Sequence, residues 1–195
     1  RKQNLLLLED DQFSFATAGY LSDYIAPMRE LLPEQTIYIC NTTSSICSGL
    51  RVAFIVFPYK HLEAIYGAIC NVNVKTSSLD TEIICGLIES GEAKKISNAK
   101  IALAKEANDL FDHIFPNNAK GHPYSFFRWL EIPSDFRSRP VGWELLAQGV
   151  HVYHSRRFLC GKEEETSYLR IALSSAGSMS NLQEGLNRIQ NYFAS

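Results

Sequence analysis

Asn41-Thr-Thr-Ser-Ser-Ile-Cys-Ser-Gly-Leu-Arg51 is the stretch of this 195-residue sequence whose residue types and spacing best suit chemistry. A small polar loop ending in Gly-x-Arg, set between the apolar runs Thr36–Cys40 and Val52–Phe57, has the make-up of an anion pocket. Gly49 lets the backbone bend or approach a ligand closely, and Arg51 offers a rigid fork of donors suited to phosphate. The same residues also fit a plain connector with a surface arginine. A second candidate is the acidic trio Glu9-Asp10-Asp11, which closes the apolar run Asn4–Leu8. Carboxylates at the end of a parallel strand lie where ligands of open α/β sheets collect, although a solvated strand end explains them equally. A third is Arg170 in Tyr168-Leu-Arg-Ile-Ala-Leu173. On a strand it shares a face with Tyr168 and Ala172, while Leu169, Ile171 and Leu173 point the other way. One face is then core and the other presents a guanidinium.

The elements that must position these groups follow from pattern. Asn4–Leu8, Thr36–Cys40 and Val52–Phe57 read as buried strands, the first of them central and parallel. Ser14–Pro33 is a linker with weak helical content, with Pro27 placed to open a short helix and Pro33 to end it. A helix runs from Pro58 to about Cys70 with the stripe Leu62, Ile65, Tyr66 and Ile69. A second spans Ser78–Glu89 and stops near Ser90-Gly91, and a long third runs from Glu92 to Phe115. Lys94, Lys95, Lys100 and Lys105 read as the solvated face of that long helix.

The remainder reads as a small α+β unit. Tyr124–Ile132, Val150–Tyr153 and Tyr168–Leu173 are strands, and Val141–Gln148 is a short helix with Gly149 in the left-handed position after it. A polar hairpin-like segment holds Glu163-Glu164-Glu165. Ser180 with Gln183 forms a capping-box pattern for a last helix striped by Leu182, Leu186, Ile189 and Phe193.

Composition narrows the function. With 46% hydrophobic and 21% charged residues the chain is that of an ordinary globular protein, and a net charge of −2 leaves no basic footprint for nucleic acid. Five scattered cysteines without a Cys-x-x-Cys pair point to reduced thiols, a cytoplasmic setting and no zinc site. No apolar run reaches the ~18 residues of a membrane span. Of the five histidines, His151 and His154 would point to opposite faces of a strand, which is wrong for joint metal ligation. Ser44-Ser45 lacks the Gly-x-Ser-x-Gly elbow of a hydrolase nucleophile. Arg1 is followed almost at once by a strand, so a fragment whose beginning is absent is expected.

The loop from Asn41 to Arg51 resembles the lysine-bearing loop of fold-type-I pyridoxal-phosphate (PLP) aminotransferases, and most closely that of MocR-type regulators of the GntR family. Their pattern is Ser-x-Ser-Lys-x-x-x-x-Gly-x-Arg. Gly49 and Arg51 match it, Asn41 and Thr43 stand at the serines, and Ser44 stands at the Schiff-base lysine. Asp10 matches the aspartate that pairs with the pyridine nitrogen, and Phe13 replaces a tyrosine whose hydroxyl reaches the ring oxygen. Phe126-Phe-Arg-Trp-Leu-Glu-Ile-Pro133, Leu146-Ala-Gln-Gly-Val-His-Val152 and the strand with Arg170 resemble segments of the same regulators, Arg170 taking the position that holds a substrate carboxylate.

The resemblance implies an α/β fold: the later half of a PLP-dependent transferase large domain, mostly parallel in its sheet, over residues 1–95, and a small C-terminal α+β domain over residues 96–195. It implies PLP or a small amino compound as ligand and a homodimer as the assembly. DNA contact would come only through an N-terminal winged-helix domain absent from this sequence. Two functions remain open: a ligand-sensing regulator domain degenerate as an enzyme, and a working aminotransferase.

Overall fold

The computed structural model describes residues 5–17, 24–118, 121–161 and 166–195. Asn4 and the acidic run Glu163–Glu165 lie outside them. The chain forms two compact units, Arg1–Lys100 and Ile101–Ser195.

The first unit holds a three-stranded sheet of β1 (Leu7–Asp11), β2 (Thr36–Asn41) and β3 (Ala53–Val56), in that order. β1 and β2 run parallel, pairing Leu8 with Ile37 and Asp10 with Ile39. β3 runs antiparallel to β2, pairing Asn41 with Ala53. The apolar run at the start predicts a strand over residues 4–8, buried and central. Instead the strand starts at Leu7, takes all three acids into itself, and lies at the edge of the sheet. Leu5, Leu6 and Leu8 are exposed, because no described residue covers that side. β3 is likewise not buried: Phe54 and Val56 stand in solvent.

Between β1 and β2 a four-residue helix, α1 (Met28–Leu31), begins after Pro27 as expected. Its N-terminal amides are satisfied from β1: the Glu9 carboxylate accepts from Met28 N at 3.0 Å and Arg29 N at 3.2 Å. Helix α2 (Leu62–Asn73) follows a turn of 3-10 helix and buries none of its residues, so the stripe read from its sequence has no cover among the described residues. Helix α3 (Ser78–Glu89) has the predicted bounds, with Ser77 as its N-cap. Gly91, at φ +77°, takes the left-handed turn into α4 (Glu92–Ile114), a position that suits glycine. A small core joins Ile46 and Val52, flanking the polar loop, to Ile84 of α3, with Ala93 and Ile96 of α4 packed against it.

The second unit is built on the sheet order β4-β6-β5, from β4 (Phe127–Glu131), β5 (Tyr153–His154) and β6 (Tyr168–Ala172), all antiparallel. Its inner face carries Leu130, Leu169 and Ile171 onto a core with Phe111 of α4, Val141 and Leu145 of α5 (Val141–Ala147), and Leu182, Leu186, Ile189 and Tyr192 of α6 (Met179–Ala194). The alternation expected around Arg170 holds: Leu169, Ile171 and Leu173 are buried, and Arg170 is not. Gly149 adopts φ +80°, as its position after α5 predicts.

Two sequence readings need correction here. The last helix is capped by Ser178, whose hydroxyl accepts from Asn181 N at 3.1 Å, rather than by Ser180. Tyr192, absent from the predicted stripe, is one of its buried residues. Ser178→Ala should therefore cost about 1 kcal/mol in urea denaturation, while Ser180→Ala, inside the first turn, should stay within about half of that. Equal losses would show that Ser178 is not the cap.

Candidate functional site

In the first unit, the carboxyl ends of the parallel pair β1–β2 gather most of the sequence-predicted residues. Side chains alternate along each strand, and the register puts Leu8 beside Ile37 and Asp10 beside Ile39. Asp10 and Asn41 therefore project from the same face. Asp10 is exposed and makes no hydrogen bond or ion pair with any described residue. Asn41 ends β2, and its side-chain oxygen accepts from Thr43 N at 3.2 Å, opening the turn that carries Ser44. Phe13 follows β1, half-buried.

The turn itself is tightly held. Thr42, buried, binds Val52 O through both its amide (3.1 Å) and its hydroxyl (2.9 Å), closing the loop's two ends onto each other. Ile46 N and Cys47 N both donate to Thr42 O, making a single helical turn over Thr43–Ile46. Ser44 is bound from two directions. Gln12 Nε2 donates to its hydroxyl at 2.8 Å, and Lys100 Nζ donates to its carbonyl at 2.9 Å. Ser97, one turn earlier on α4, donates its hydroxyl to Ser45 O at 3.0 Å.

Lys100 is therefore not one of the solvated lysines that the helical pattern suggests. Lys95 and Lys105 fit that description, paired at the surface with Glu92 and Asp109. Lys100 is half-buried; desolvation lowers its pKa, against a smaller upward pull from the Cys47 thiol. Gln12, Ser97 and Lys100 have no local signal in the sequence, because each acts across 32 or more positions.

Gly49 and Arg51 are placed more loosely. Arg51 is exposed and has no partner among the described residues. Gly49 has an ordinary backbone conformation, and a Cβ there would meet only the Cys47 sulfur at 3.8 Å, so the structure gives no steric reason for a glycine.

The opposite face of the sheet holds Asp11, which accepts from Tyr38 OH at 2.5 Å and from Ser14 N at 2.9 Å. Burial by itself would push its carboxyl up, but the bonds from Ser14, Tyr38 and the backbone outweigh it, and the pKa falls below the ordinary 3.8. A folded-state pKa below the unfolded one gives stability that is present above about pH 4 and is lost as pH falls through the folded value. Tyr38→Phe should raise the Asp11 pKa in an NMR titration and flatten the acid limb of the stability curve; an unmoved Asp11 titration would refute this account.

In the second unit, Arg170 lies on the outer face of its sheet, opposite Trp129 on β4 and Tyr153 on β5. Its Cζ sits 3.7 Å from the centroid of the Phe127 ring and 5.4 Å from that of Phe158. Stacking orients the guanidinium plane without using its N–H groups. Those groups have no hydrogen-bond or ion-pair partner among the described residues. On the neighbouring strand, β4 also carries Arg128, for which the sequence offers no signal. It points inward, is 3% exposed, and binds Asn108 Oδ1 at 3.0 Å, the carboxylate of Asp112 and the carbonyl of Asn118. Its role is structural. Among the described residues no group of His, Cys, Asp and Glu is placed to hold a metal ion, and no helix is long and apolar enough to cross a membrane.

Solved structures similar to this chain include aminotransferases. LysN, the α-aminoadipate aminotransferase of Thermus thermophilus solved with N-(5'-phosphopyridoxyl)-L-leucine, superposes with a TM-score of 0.80 at 19% identity, over 99% of this chain and 51% of its own. An archaeal alanine:glyoxylate aminotransferase gives 0.84 at 16%, over 99% and 49%. A kynurenine aminotransferase of Pyrococcus horikoshii gives 0.80 at 14%, over 99% and 48%. The fold is that of the later half of a PLP-dependent transferase large domain with its small C-terminal domain.

In sequence, the chain is similar to the uncharacterized HTH-type transcriptional regulator YdeF of Bacillus subtilis (strain 168), 26% identical over 188 residues. That match covers 95% of this chain and 40% of the regulator, so the chain spans about two-fifths of this relative and about half of the aminotransferases. No family profile matches it. The chain has an aminotransferase-like fold, and a curated protein similar to it in sequence is a transcriptional regulator.

Proposed function

We propose that this chain is the effector part of a MocR-type, GntR-family transcription regulator. It recognises PLP or a small amino compound and does not transaminate. The observation that carries the reading is Ser44. It stands at the lysine position of the loop, its hydroxyl is held by Gln12 and its carbonyl by Lys100, and a hydroxyl cannot form the imine that an amine forms. The similarity to a regulator supports the same reading.

The other residues suit non-covalent retention. The unpartnered Asp10 carboxylate would take a protonated pyridine nitrogen, and the unpartnered Arg51 guanidinium a phosphate, both through charge-assisted bonds. Asn41 and Ser44 would line the turn between them, and Phe13 would add apolar contact without the hydroxyl of a tyrosine. Arg170 would receive the carboxylate of the amino compound. PLP, when bound, supplies an electron sink for carbon–hydrogen cleavage; without a lysine amine at residue 44 the chain supplies no proton-shuttling base at that position. The protein would work as a cytoplasmic homodimer, with DNA contacted by a winged-helix domain outside this chain.

The rival, a working aminotransferase, draws on the fold neighbours and needs an amine from elsewhere. Incubating the full-length protein with PLP and a panel of amino acids should yield no keto acid, while one of the amino compounds should change its retention of DNA in a gel-shift assay. Sustained keto-acid formation would decide for the enzyme.

A further inference from the structure

The turn that carries Ser44 leaves two carbonyl oxygens without a backbone partner. Ile46 N and Cys47 N both donate to Thr42 O, and no amide of the described residues donates to Ser44 O or Ser45 O. The last carbonyls of a helical turn are left open in this way and need a donor from outside. Here both donors come from α4: Lys100 Nζ reaches Ser44 O at 2.9 Å, and Ser97 Oγ reaches Ser45 O at 3.0 Å. Three positions apart, the two side chains share one face of the helix. Ala93 and Ile96, one turn earlier, pack against the small core that includes Ile46. One face of α4 thus grips the turn at an apolar residue and at two consecutive carbonyls.

Neither polar side chain does what its place in a helix favours. A serine inside a helix commonly turns its hydroxyl back to the carbonyl four residues earlier, whereas Ser97 gives it to the loop. Lys95 and Lys105 find acids about one turn away, at Glu92 and Asp109. Lys100 has Ile96, Ser97, Leu103 and Ala104 at those spacings, so its own helix offers it no acid. Its ammonium instead gives up part of its water to reach a neutral carbonyl 56 positions away, and that desolvation lowers its pKa. A charge half-buried against a candidate ligand loop belongs more to functional sites than to solvated helix faces.

We propose that Lys100, with Ser97 beside it, is a positioning residue of the ligand site. It touches no ligand. It fixes the turn over Thr43–Ile46, and with it the side chains of Asn41 and Ser44, in the geometry that receives PLP. The proposal rests on the reading of this loop as a PLP site and adds the residue that orders it. A turn ordered beforehand spares the ligand the conformational entropy of fixing it on binding. Loss of Lys100 therefore weakens binding without removing a contact to the ligand.

The test is calorimetric titration of the full-length protein with pyridoxine phosphate, which has the ring nitrogen and phosphate of PLP but no aldehyde to react with surface lysines. Amide hydrogen exchange of the same variants accompanies it. Lys100→Met keeps an unbranched side chain and removes the donor and the charge, so no charge is left to bury. Its affinity should fall about tenfold, the worth of one charge-assisted bond, and that of Ser97→Ala, which loses a neutral bond, about threefold. Lys100→Arg, which keeps a charged donor, should restore most of the affinity. In Lys100→Met the amides of Ile46 and Cys47 should exchange about tenfold faster, while those of β1 and β2 keep their protection. Unchanged exchange at Ile46 and Cys47, or equally faster exchange along β1 and β2, would overturn the proposal. So would pyridoxine phosphate binding as tightly to Lys100→Met as to the unaltered protein, which leaves the PLP reading of the loop standing. If the unaltered protein binds no pyridoxine phosphate, that reading falls, and the proposal with it.

Discussion

Borohydride reduction of the full-length protein soaked in PLP should leave residue 44 unmodified, and the same treatment of Ser44→Lys should attach one pyridoxyl group per chain. The unaltered protein has only a hydroxyl at this position, and a hydroxyl forms no imine for borohydride to reduce. In the variant the amine enters a turn already fixed by the Thr42 bonds to Val52 O and by the donors Ser97 and Lys100 on α4. What the lysine must displace is a single neutral bond, Gln12 to the serine hydroxyl, worth about 1 kcal/mol. Backbone geometry is retained because none of the loop's own bonds uses the Ser44 side chain. The change is all-or-none and is read by intact mass and peptide mapping. An adduct on any lysine of the unaltered protein would end the non-catalytic reading. Failure of the variant would show that Asp10 and Arg51 no longer form a PLP pocket.

Arg128→Ala should be as damaging as truncating a buried core residue of the second unit, at about 3 kcal/mol, or on the order of 10 °C in Tm. The guanidinium is nearly dry and sits 4.6 Å from the centroid of Phe111, a core residue with no exposure. It joins β4 to α4 through Asn108 and Asp112 at once. Its removal leaves a cavity above Phe111 and strips the buried Asn108 of a partner. Asp112, more than a third exposed, can turn to water, which keeps the loss at the lower end of what breaking a buried pair costs. Arg128→Lys should recover little, since a single ammonium nitrogen does not span the two acceptors that the separate guanidinium nitrogens reach. Gly121→Ala should reproduce the effect in miniature: a Cβ there would come within 2.9 Å of Arg128 Cζ, and that guanidinium is too well tied to move aside. Urea denaturation of Arg128→Ala within about 0.5 kcal/mol of the unaltered protein would refute this role.

What sequence makes visible, and what it hides, divides along the range of the forces involved. Helices α3, α4 and α5 can be bounded to within a residue because periodicity, caps and the Gly91 and Gly149 stops are local. The alternation of β6 assigns Arg170 to the outer face for the same reason. The leucine run before Glu9 misplaces β1 because hydrophobicity stands in for burial. That inference needs a covering layer, and no described residue supplies one. Ser180 displaces Ser178 in the sequence reading because its capping-box spacing outweighs the simpler serine two residues earlier. At the candidate site, the loop motif locates Ser44. Its partners Gln12 and Lys100 depend on how the chain folds back on itself. Arg128 is invisible because a strand arginine is ordinarily a surface residue, and only the inward register of β4 makes it a buried one.

All five cysteines are free, and their exposure is uneven: Cys40, Cys70 and Cys85 are half-buried, while Cys47 and Cys160 stand in solvent. The two accessible thiols fall one in each unit. Cys47 lies three residues from Ser44, and Cys160 two residues from Phe158. The native chain therefore comes ready for paired fluorophores or spin labels. A donor–acceptor measurement between those two positions would follow the first unit against the second during ligand titration, with no engineered attachment point.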